Sequence, residues 1–222
     1  MRTLVIYATE EGQTEKISRR IAKQLIQRGF PTDCQNIGVD PEDPIALDAY
    51  DAVVIGSPVH YSHYDARLAA YITRYREALR EIPSAFFSVS LGILSEQAEE
   101  KEEPANIADD YLSQIGWNPP MRDHFAGAIV YSKYRWLKRK LIQFVVRKGG
   151  GPTDTRFDYE FTNWDQVDQF VDQFVEFVES CKRPDEEFTQ RSIHSRRSRR
   201  YSIRNRDRRK TVPGRDGSAS CA

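Results

Sequence analysis

The residues that could do chemistry in this chain begin within its first fifteen positions. An apolar run ends at Thr9, and a short polar loop containing Gly12 leads into a helical pattern that starts near Gln13. Backbone N–H groups at a helix N-terminus, with the hydroxyls of Thr9 and Thr14, can hold an anion because the helix dipole favours negative charge there. The loop has no lysine and no GxGxxG spacing, so it matches neither a Walker loop nor a dinucleotide loop. The T-x-x-G-x-T spacing suits a monophosphate held without a metal, and it equally suits a plain strand–turn–helix junction capped by threonine.

Alternating strand and helix patterns must position this loop. Strand patterns cover residues 3–8, 32–37, 52–56, 85–91 and 125–130, and helix patterns cover residues 14–28, 65–80, 104–115 and 164–181. This alternation predicts an α/β fold with a doubly wound, five-stranded parallel sheet in the order 2-1-3-4-5. Ligands bind outside the carboxyl ends of the strands in such sheets, so we expect the loops after strands one, three and four to form one site.

Composition excludes several classes of protein. The three cysteines, Cys34, Cys181 and Cys221, are scattered and odd in number, which disfavours a disulfide framework or a zinc site, and we expect no metal. No apolar run approaches the ~20 residues needed to span a bilayer. The chain opens directly on a strand pattern without a signal peptide, so we expect a cytoplasmic protein.

Charge divides the chain at about residue 181. Residues 1–181 carry a net charge of −8 and residues 182–222 a net charge of +8. We therefore predict one domain over residues 1–181, with an insert at residues 131–161, followed by a disordered Arg/Ser-rich tail over residues 182–222. The tail has few aromatic residues and no fold motif, so we expect no nucleic-acid partner.

The loops after the first, third and fourth strand patterns resemble those of flavodoxin-type FMN domains. The second loop runs from Gly56 to Tyr64, and the third begins at Ser88. The resemblance implies that the first loop holds the ribityl phosphate of FMN and that the other two enclose the isoalloxazine. The residues it assigns to the cofactor are Thr9, Glu10, Glu11, Gly12, Gln13, Thr14, Ser57, Pro58, Val59, His60, Tyr61, Ser88, Val89, Ser90, Leu91 and Gly92.

Later runs resemble a narrower family, the menaquinone-dependent protoporphyrinogen IX dehydrogenases. These runs extend from Gly127 to Trp136, from Gly149 to Arg156 and from Thr162 to Val167. The resemblance is collinear over about residues 1–180, and it departs from the family pattern in the glutamate-rich segment 92–104. It implies six-electron oxidation of protoporphyrinogen IX in haem biosynthesis, with a membrane quinone, menaquinone or ubiquinone, as electron acceptor.

Side chains of the second loop are the candidates for contact with the ring and the substrate. Tyr61 and Tyr64 are aromatic and suit a flat flavin ring. His60 and His63 are candidate bases near neutral pH, and both residues equally suit an ordinary surface loop. The sequence assigns no catalytic base beyond these two histidines.

The insert has the composition of a helix that lies on a membrane. Residues 132–148 contain seven basic and no acidic residues, interleaved with large apolar side chains. A basic amphipathic helix of this type can lie among the headgroups of an anionic bilayer, while packing on its own domain remains open. The predicted membrane and quinone side comprises Lys133, Arg135, Trp136, Lys138, Arg139, Lys140 and Phe144. The expected location is therefore peripheral, on the inner face of the cell membrane.

Three other functions stay open on the same fold. A flavodoxin-like electron carrier would bind FMN without acting on a porphyrinogen. An NAD(P)H:quinone reductase would need a nicotinamide site, for which the sequence has no motif. A divergent protein without flavin would act only through interactions, and a homo-oligomer is compatible with each of these.

Overall fold

A computed structural model describes residues 1–38, 46–59, 63–91, 98–133 and 154–181, with only the backbone for residues 98–104 and 133. The seven strands in these ranges are β1 (Thr3–Tyr7), β2 (Thr32–Asn36), β3 (Ala52–Pro58), β4 (Ser84–Ser90), β5 (Met121–Ala126), β6 (Ala128–Ile129) and β7 (Tyr159–Glu160). The helices are α1 (Gln13–Gln27), α2 (Ala66–Glu81), α3 (Ala98–Gln114) and α4 (residues 164–181). Short 3-10 helices cover Leu47–Ala49 and Tyr131–Lys133.

The first five strands form one sheet in the order β2-β1-β3-β4-β5, and all neighbouring strands are parallel. The predicted doubly wound fold is therefore confirmed. The strand order reverses direction between β1 and β3, which are hydrogen-bonded neighbours. This reversal leaves a crevice at the carboxyl ends of the two strands, because the helices that follow them pack on opposite faces of the sheet.

Alternate residues of each strand feed two separate cores. Val5 and Val54 point to the face covered by α1 and α4, where Ile17 and Phe170 pack on them. Their neighbours in β1 and β3 point to the face covered by α2 and α3. The central strands β1, β3 and β4 are almost continuously buried, which explains why they read as uninterrupted apolar runs.

Gly56 allows β3 and β4 to pack closely at the core. A Cβ atom at this position would lie 2.2 Å from Cζ of Phe87. The Phe87 ring is fully buried and contacts the Phe125 and Phe170 rings. The absence of a side chain at Gly56 therefore makes room for an aromatic ring just inside the carboxyl edge of the sheet.

Two predicted boundaries were wrong. The fifth strand begins at Met121 rather than Phe125, because β5 is an edge strand whose first half is polar and only partly buried. The apolar run that suggested a single strand is divided at Gly127, after which β6 pairs antiparallel with β7. Helix α3 begins at Ala98 rather than at Pro104, since the glutamate, lysine and alanine residues that precede Pro104 are strong helix formers.

Residues 128–132 and 158–160 are bonded to each other at the two ends of the predicted insert. We call this small unit the β6–β7 root, or the root of the insert. Strand β6 pairs with β7, and the Asp158 carboxylate accepts hydrogen bonds from the Ser132 backbone N–H at 2.9 Å and from the Ser132 hydroxyl at 2.6 Å. Tyr131 is fully buried with its ring edge-on to Tyr159. The described residues on either side of this segment are therefore bonded to each other, and residues 134–153 lie outside the described residues.

Residues Met1–Val178 group as one compact unit. The second unit, Glu179–Ala222, includes the predicted tail, and the structure describes only residues 179–181 of it. None of the helices in the described ranges is long and apolar enough to cross a membrane.

Candidate cofactor site

Backbone hydrogen bonds hold the loops at the carboxyl edge of the sheet side by side. The Ala8 N–H donates to the Gly56 carbonyl at 3.0 Å, and the Val59 N–H donates to the Val89 carbonyl at 2.9 Å. The Gly127 N–H donates to the Ser90 carbonyl at 3.0 Å. These bonds extend the strand ladder beyond the strand ends, so the loops after β1, β3, β4 and β5 leave the sheet as neighbours.

The loop after β1 presents the uncapped N-terminus of α1. Gly12 occupies the N-cap position with φ 96°, a left-handed conformation that strains any residue with a Cβ atom. Its N–H donates to Oγ1 of Thr9 at 3.0 Å, and the first helical bond runs from the Lys16 N–H to the Gly12 carbonyl. The N–H groups of the first helical turn have no acceptor within the helix, and a glycine cap supplies no side chain to them. Thr14 is nearly fully buried within this turn.

The side chain of Gln13 joins this loop to the segment before α4. Its amide nitrogen donates to Oγ1 of Thr162 at 2.8 Å, and the Thr162 hydroxyl donates to the Ala126 carbonyl at 2.7 Å. Gln13 is only 6% exposed, and its side-chain amide is engaged by Thr162. The sequence alone assigned Gln13 to the cofactor and gave Thr162 no role.

Charges around the loop are mainly acidic, and the nearby lysine is paired. Glu10 is exposed and Glu11 is partly exposed. Lys16 forms a 2.8 Å ion pair with Glu160, whose other carboxylate oxygen accepts a hydrogen bond from the Trp164 indole at 3.0 Å. An anion in this loop would therefore depend on backbone N–H groups and threonine hydroxyls rather than on a lysine.

The loop after β3 is only partly described. Ser57 is fully buried, and Pro58 and Val59 are partly exposed at the end of the strand. His63 is exposed, whereas His60 and Tyr61 lie outside the described residues.

Tyr64 is partly buried and packs against the core aromatic residues beneath this loop. Its ring stacks on Tyr111 of α3 with centroids 4.3 Å apart and meets Phe86 edge-on at 5.7 Å. Burial raises the pKa of Tyr64 to about 12, so the phenol is neutral throughout the physiological range. One face of the ring is therefore covered by Tyr111, and Tyr64 supports the loop from below.

The loop after β4 begins with a change from buried to exposed side chains. Ser88 and Val89 are buried within the sheet, Ser90 is partly exposed, and Leu91 is a large apolar side chain that is 36% exposed. Gly92 lies outside the described residues. Among the described members of this loop, Ser90 and Leu91 are the ones whose side chains are not buried.

A partly buried polar cluster lies below the third loop, and no sequence motif indicates it. The Ser88 hydroxyl and Nδ1 of His124 are 2.6 Å apart. The Asp123 carboxylate accepts hydrogen bonds from the His124 N–H at 2.7 Å and from the Gln166 amide at 2.9 Å. Burial lowers the pKa of His124 and raises that of Asp123 relative to their usual values. Asp123 and His124 precede the fifth predicted strand, and Gln166 lies in the last predicted helix, so no local motif in the sequence joins these residues.

The predicted membrane and quinone residues fall almost entirely outside the described part of the chain. The backbone of Lys133 ends the short 3-10 helix that follows β6, and its side chain is not described. The other residues of that group lie outside the described residues, namely Arg135, Trp136, Lys138, Arg139, Lys140 and Phe144.

The sheet order, the crevice between β1 and β3 and the uncapped phosphate-type loop define a flavodoxin-like nucleotide-binding domain. A family model described as a flavodoxin domain matches residues 4–156. The protoporphyrinogen IX dehydrogenase (quinone) of Escherichia coli strain K12 is 32% identical over 180 residues, covering 81% of this chain and 97% of that protein. The protein of the same name from Leishmania major is 31% identical over 173 residues, covering 78% of this chain and 74% of that protein.

The chain belongs to the flavodoxin-domain family and, within it, to the family of the protoporphyrinogen IX dehydrogenases. The resemblance predicted from the loop and insert motifs is therefore confirmed. Among solved structures, oxidised flavodoxin 1 of Bacillus cereus aligns with a TM-score of 0.45 at 15% identity, covering 81% of this chain and 98% of that one.

Proposed function

We propose that this protein is an FMN-dependent dehydrogenase that oxidises protoporphyrinogen IX to protoporphyrin IX and passes the electrons to a quinone. The observation that carries the proposal is the match to the relatives of that name, which covers 81% of this chain and 97% of the E. coli protein. The proposal favours an enzyme over a flavodoxin-like carrier or an NAD(P)H:quinone reductase, since the relatives at this level of identity carry the dehydrogenase name.

The residues of the first loop fit the phosphate of FMN. The left-handed Gly12 and the hydrogen bond from its N–H to Thr9 turn the chain so that the first-turn N–H groups of α1 face outward from the sheet edge. A phosphate dianion is favoured there by the helix dipole and needs no metal. Thr9, Thr14 and the backbone from Glu11 to Thr14 would hold the phosphate, with Glu10 directed to solvent.

The flavin ring would lie across the ends of β3 and β4. Val59 and Leu91 supply apolar surface at this edge, and Ser90 supplies a polar group. FMN, when bound, would accept two electrons at a time. The conversion of the porphyrinogen to the porphyrin removes six electrons, so it would take three such transfers. His63, which is exposed beside this edge, remains the described candidate for proton transfer, and His60 is the undescribed one.

A purified sample tests the proposal in two stages. A flavin absorbance spectrum, or its restoration when FMN is added to the apoprotein, is expected first. Anaerobic protoporphyrinogen IX with a menaquinone analogue should then yield porphyrin fluorescence faster than the spontaneous rate. A flavoprotein that produced porphyrin only at the spontaneous rate would favour the electron carrier, and NAD(P)H-dependent quinone reduction would favour the reductase.

The membrane side of the proposal rests on the charge of the insert. Residues 132–148 carry seven basic and no acidic residues, and each surface cation adds about 1 kcal/mol of attraction to an anionic bilayer. The quinone and the porphyrinogen are both poorly soluble, so a flavin held at a membrane surface would shorten the path to each. We propose a peripheral position on the inner face of the cell membrane, with menaquinone or ubiquinone as acceptor.

Vesicle flotation tests this position. Replacing Lys138, Arg139 and Lys140 by glutamine should reduce binding to vesicles that contain anionic lipid by about tenfold or more, because three attractive charges are lost. The matched control replaces three exposed cations on α1 and α2, namely Lys23, Arg74 and Arg80, and should leave binding unchanged. Equal losses in the two variants, or none in either, would count against an interface at the insert.

A further inference from the structure

The root of the insert is bonded to the turn of helix that forms the phosphate loop. Lys16, in the first turn of α1, pairs with Glu160 of β7 at 2.8 Å. Gln13, the first residue of α1, donates to Thr162 at 2.8 Å, two residues beyond that strand. These partners are separated by 144 and 149 positions in the chain. The two contacts connect one helical turn to one strand end.

Thr162 and Glu160 each bridge more than one element. The Thr162 hydroxyl accepts from Gln13 and donates to the Ala126 carbonyl at the end of β5. The Glu160 carboxylate binds Lys16 with one oxygen and the Trp164 indole of α4 with the other. The β6–β7 root, the end of β5 and the start of α4 are thus joined to the first turn of α1 through two side chains.

We propose that Thr162 and Glu160 are positioning residues for the phosphate loop, and that occupation of this loop and the order of the β6–β7 root are coupled through them. The inference rests on the proposed binding of FMN. It adds that the insert root, which is remote in sequence, sets the geometry of the phosphate site. Coupling of this kind is reciprocal, so a ligand in the loop must stabilise the root to the same extent that the root strengthens binding.

The two bridges contribute unequally. Thr162 joins groups that are mostly shielded from water, and its loss leaves the buried Gln13 amide and a main-chain carbonyl without that partner. The Lys16–Glu160 pair is 61% and 35% exposed, and ion pairs this accessible contribute little because water screens them. Thr162 is therefore the principal positioning residue and Glu160 the secondary one.

Four variants and two measurements test the coupling. FMN affinity is measured by fluorescence quenching on the apoprotein, and amide hydrogen exchange is followed in peptides that cover residues 128–132 and 158–162 with and without FMN. Thr162→Val should weaken FMN binding about tenfold, because an unpaired buried polar group displaces the loop. Thr162→Ser keeps the hydroxyl and should restore affinity to within about twofold. Glu160→Gln should weaken binding by about twofold.

The matched control removes a set of side-chain hydrogen bonds between α1 and α4 that involves no residue of the β6–β7 root. Asp168 accepts hydrogen bonds from Arg20 at 2.6 Å and from Gln24 at 3.0 Å. Asp168→Asn should leave FMN affinity unchanged. In the wild type and in Asp168→Asn, FMN should slow exchange in the root peptides, and in Thr162→Val this protection should be lost.

The outcomes separate this inference from the proposed function. A wild-type protein that does not take up FMN would overturn the proposed function and this inference with it. Normal FMN binding by the wild type and by Thr162→Val alike would overturn the inference alone. An equal loss of affinity in Thr162→Val and Asp168→Asn would assign both residues to general stability and also overturn it.

Discussion

Thr9 illustrates how a single hydroxyl shapes the cofactor loop. Its Oγ1 atom accepts the Gly12 N–H at 3.0 Å, which holds the loop in the turn that starts α1. The loop contains no basic residue and is flanked by Glu10 and Glu11. If this loop holds the phosphate of FMN, as proposed, the affinity must come from the geometry of neutral donors, to which the Thr9 hydroxyl contributes.

Thr9→Val should weaken FMN binding about tenfold, since valine has the shape of threonine but cannot accept the Gly12 N–H. Titration of the apoprotein with FMN, followed by flavin fluorescence, measures the change. Glu10→Gln serves as the control, because its side chain is exposed, and should bind FMN as well as the wild type or better. An unchanged affinity in Thr9→Val would place the phosphate elsewhere.

His124 is a partly buried base in the same region, and its protonation should be coupled to stability. Burial lowers its pKa below the usual value, while Asp123 and Asp109 oppose the shift and Arg122 adds to it. The folded protein therefore binds fewer protons at this site than the unfolded chain. Stability from this group is fully present above the unfolded pKa of about 6.5 and is lost as the pH falls through the interval down to the folded pKa.

His124→Asn should reduce the loss of Tm between pH 7.5 and pH 5.5, because asparagine can still bond to Ser88 but does not titrate. Thermal unfolding followed by circular dichroism at the two pH values measures this difference. The pKa of Asp123 is raised, so its contribution to stability falls as the pH rises above its unfolded pKa of about 3.8, which is the opposite direction. A pH dependence identical in wild type and variant would contradict a partly buried, neutral His124.

At the level of the elements, β3 and β4 are in close contact, and the same contact involves aromatic side chains of β5 and α4. Gly56 lies against the Phe87 ring, which sits between β4 and the aromatic residues of β5 and α4. Gly56 lies two residues before the end of β3 and Phe87 three residues before the end of β4, close to the edge from which the second and third loops depart. The contact between Gly56 and the Phe87 ring therefore affects both the packing of the core and the positions at which the second and third loops leave the sheet.

Gly56→Ala should destabilise the protein by about 1–3 kcal/mol, because the added methyl group would overlap the buried Phe87 ring. Chemical denaturation monitored by tryptophan fluorescence gives this free energy. Gly38→Ala is the matched control, since its added methyl group would meet only the flexible end of Arg67 and should cost much less. Similar losses in the two variants would indicate that backbone freedom, rather than the Phe87 contact, makes glycine necessary at position 56.

Across the whole chain, acidic and basic residues are unevenly distributed. Residues 1–181 have a net charge of −8 and residues 182–222 a net charge of +8, so the neutral total conceals two opposite parts. The last core residue of α4 is Val178, and the compact unit ends at the same position. The core of the described domain is therefore complete before the basic tail begins.

A chain that ends after Cys181 should fold and bind FMN with wild-type affinity, because it retains every core residue of α4. Its Tm should stay within about 2 °C of the full chain, because the core residues of the described domain all precede residue 181. A chain that ends at residue 163 lacks Phe170 and Phe174 and should fail to fold. Loss of FMN binding in the chain that ends after Cys181 would assign the tail a part in the cofactor site.

The pattern of the chain was sufficient to predict the sheet, its order and the three loops. Buried parallel strands appear as apolar runs, and amphipathic helices show their period, so both are encoded by neighbouring residues. The phosphate loop was equally local, since Thr9, Gly12 and Thr14 lie within six positions. The edge strand β5 was misplaced because half of it is exposed and lacks an apolar signal.

Contacts between distant parts of the chain determined the rest of the site. Thr162 lies 149 positions from Gln13, and His124 lies 36 positions from Ser88, so no local pattern could pair them. Tyr64 looked suited to a flavin ring in the sequence, but packing places it against Tyr111. Local sequence encodes elements and loops because short-range periodicity and backbone preference act on neighbouring residues. The partners of each side chain depend on which elements pack together, and that is settled when the chain folds.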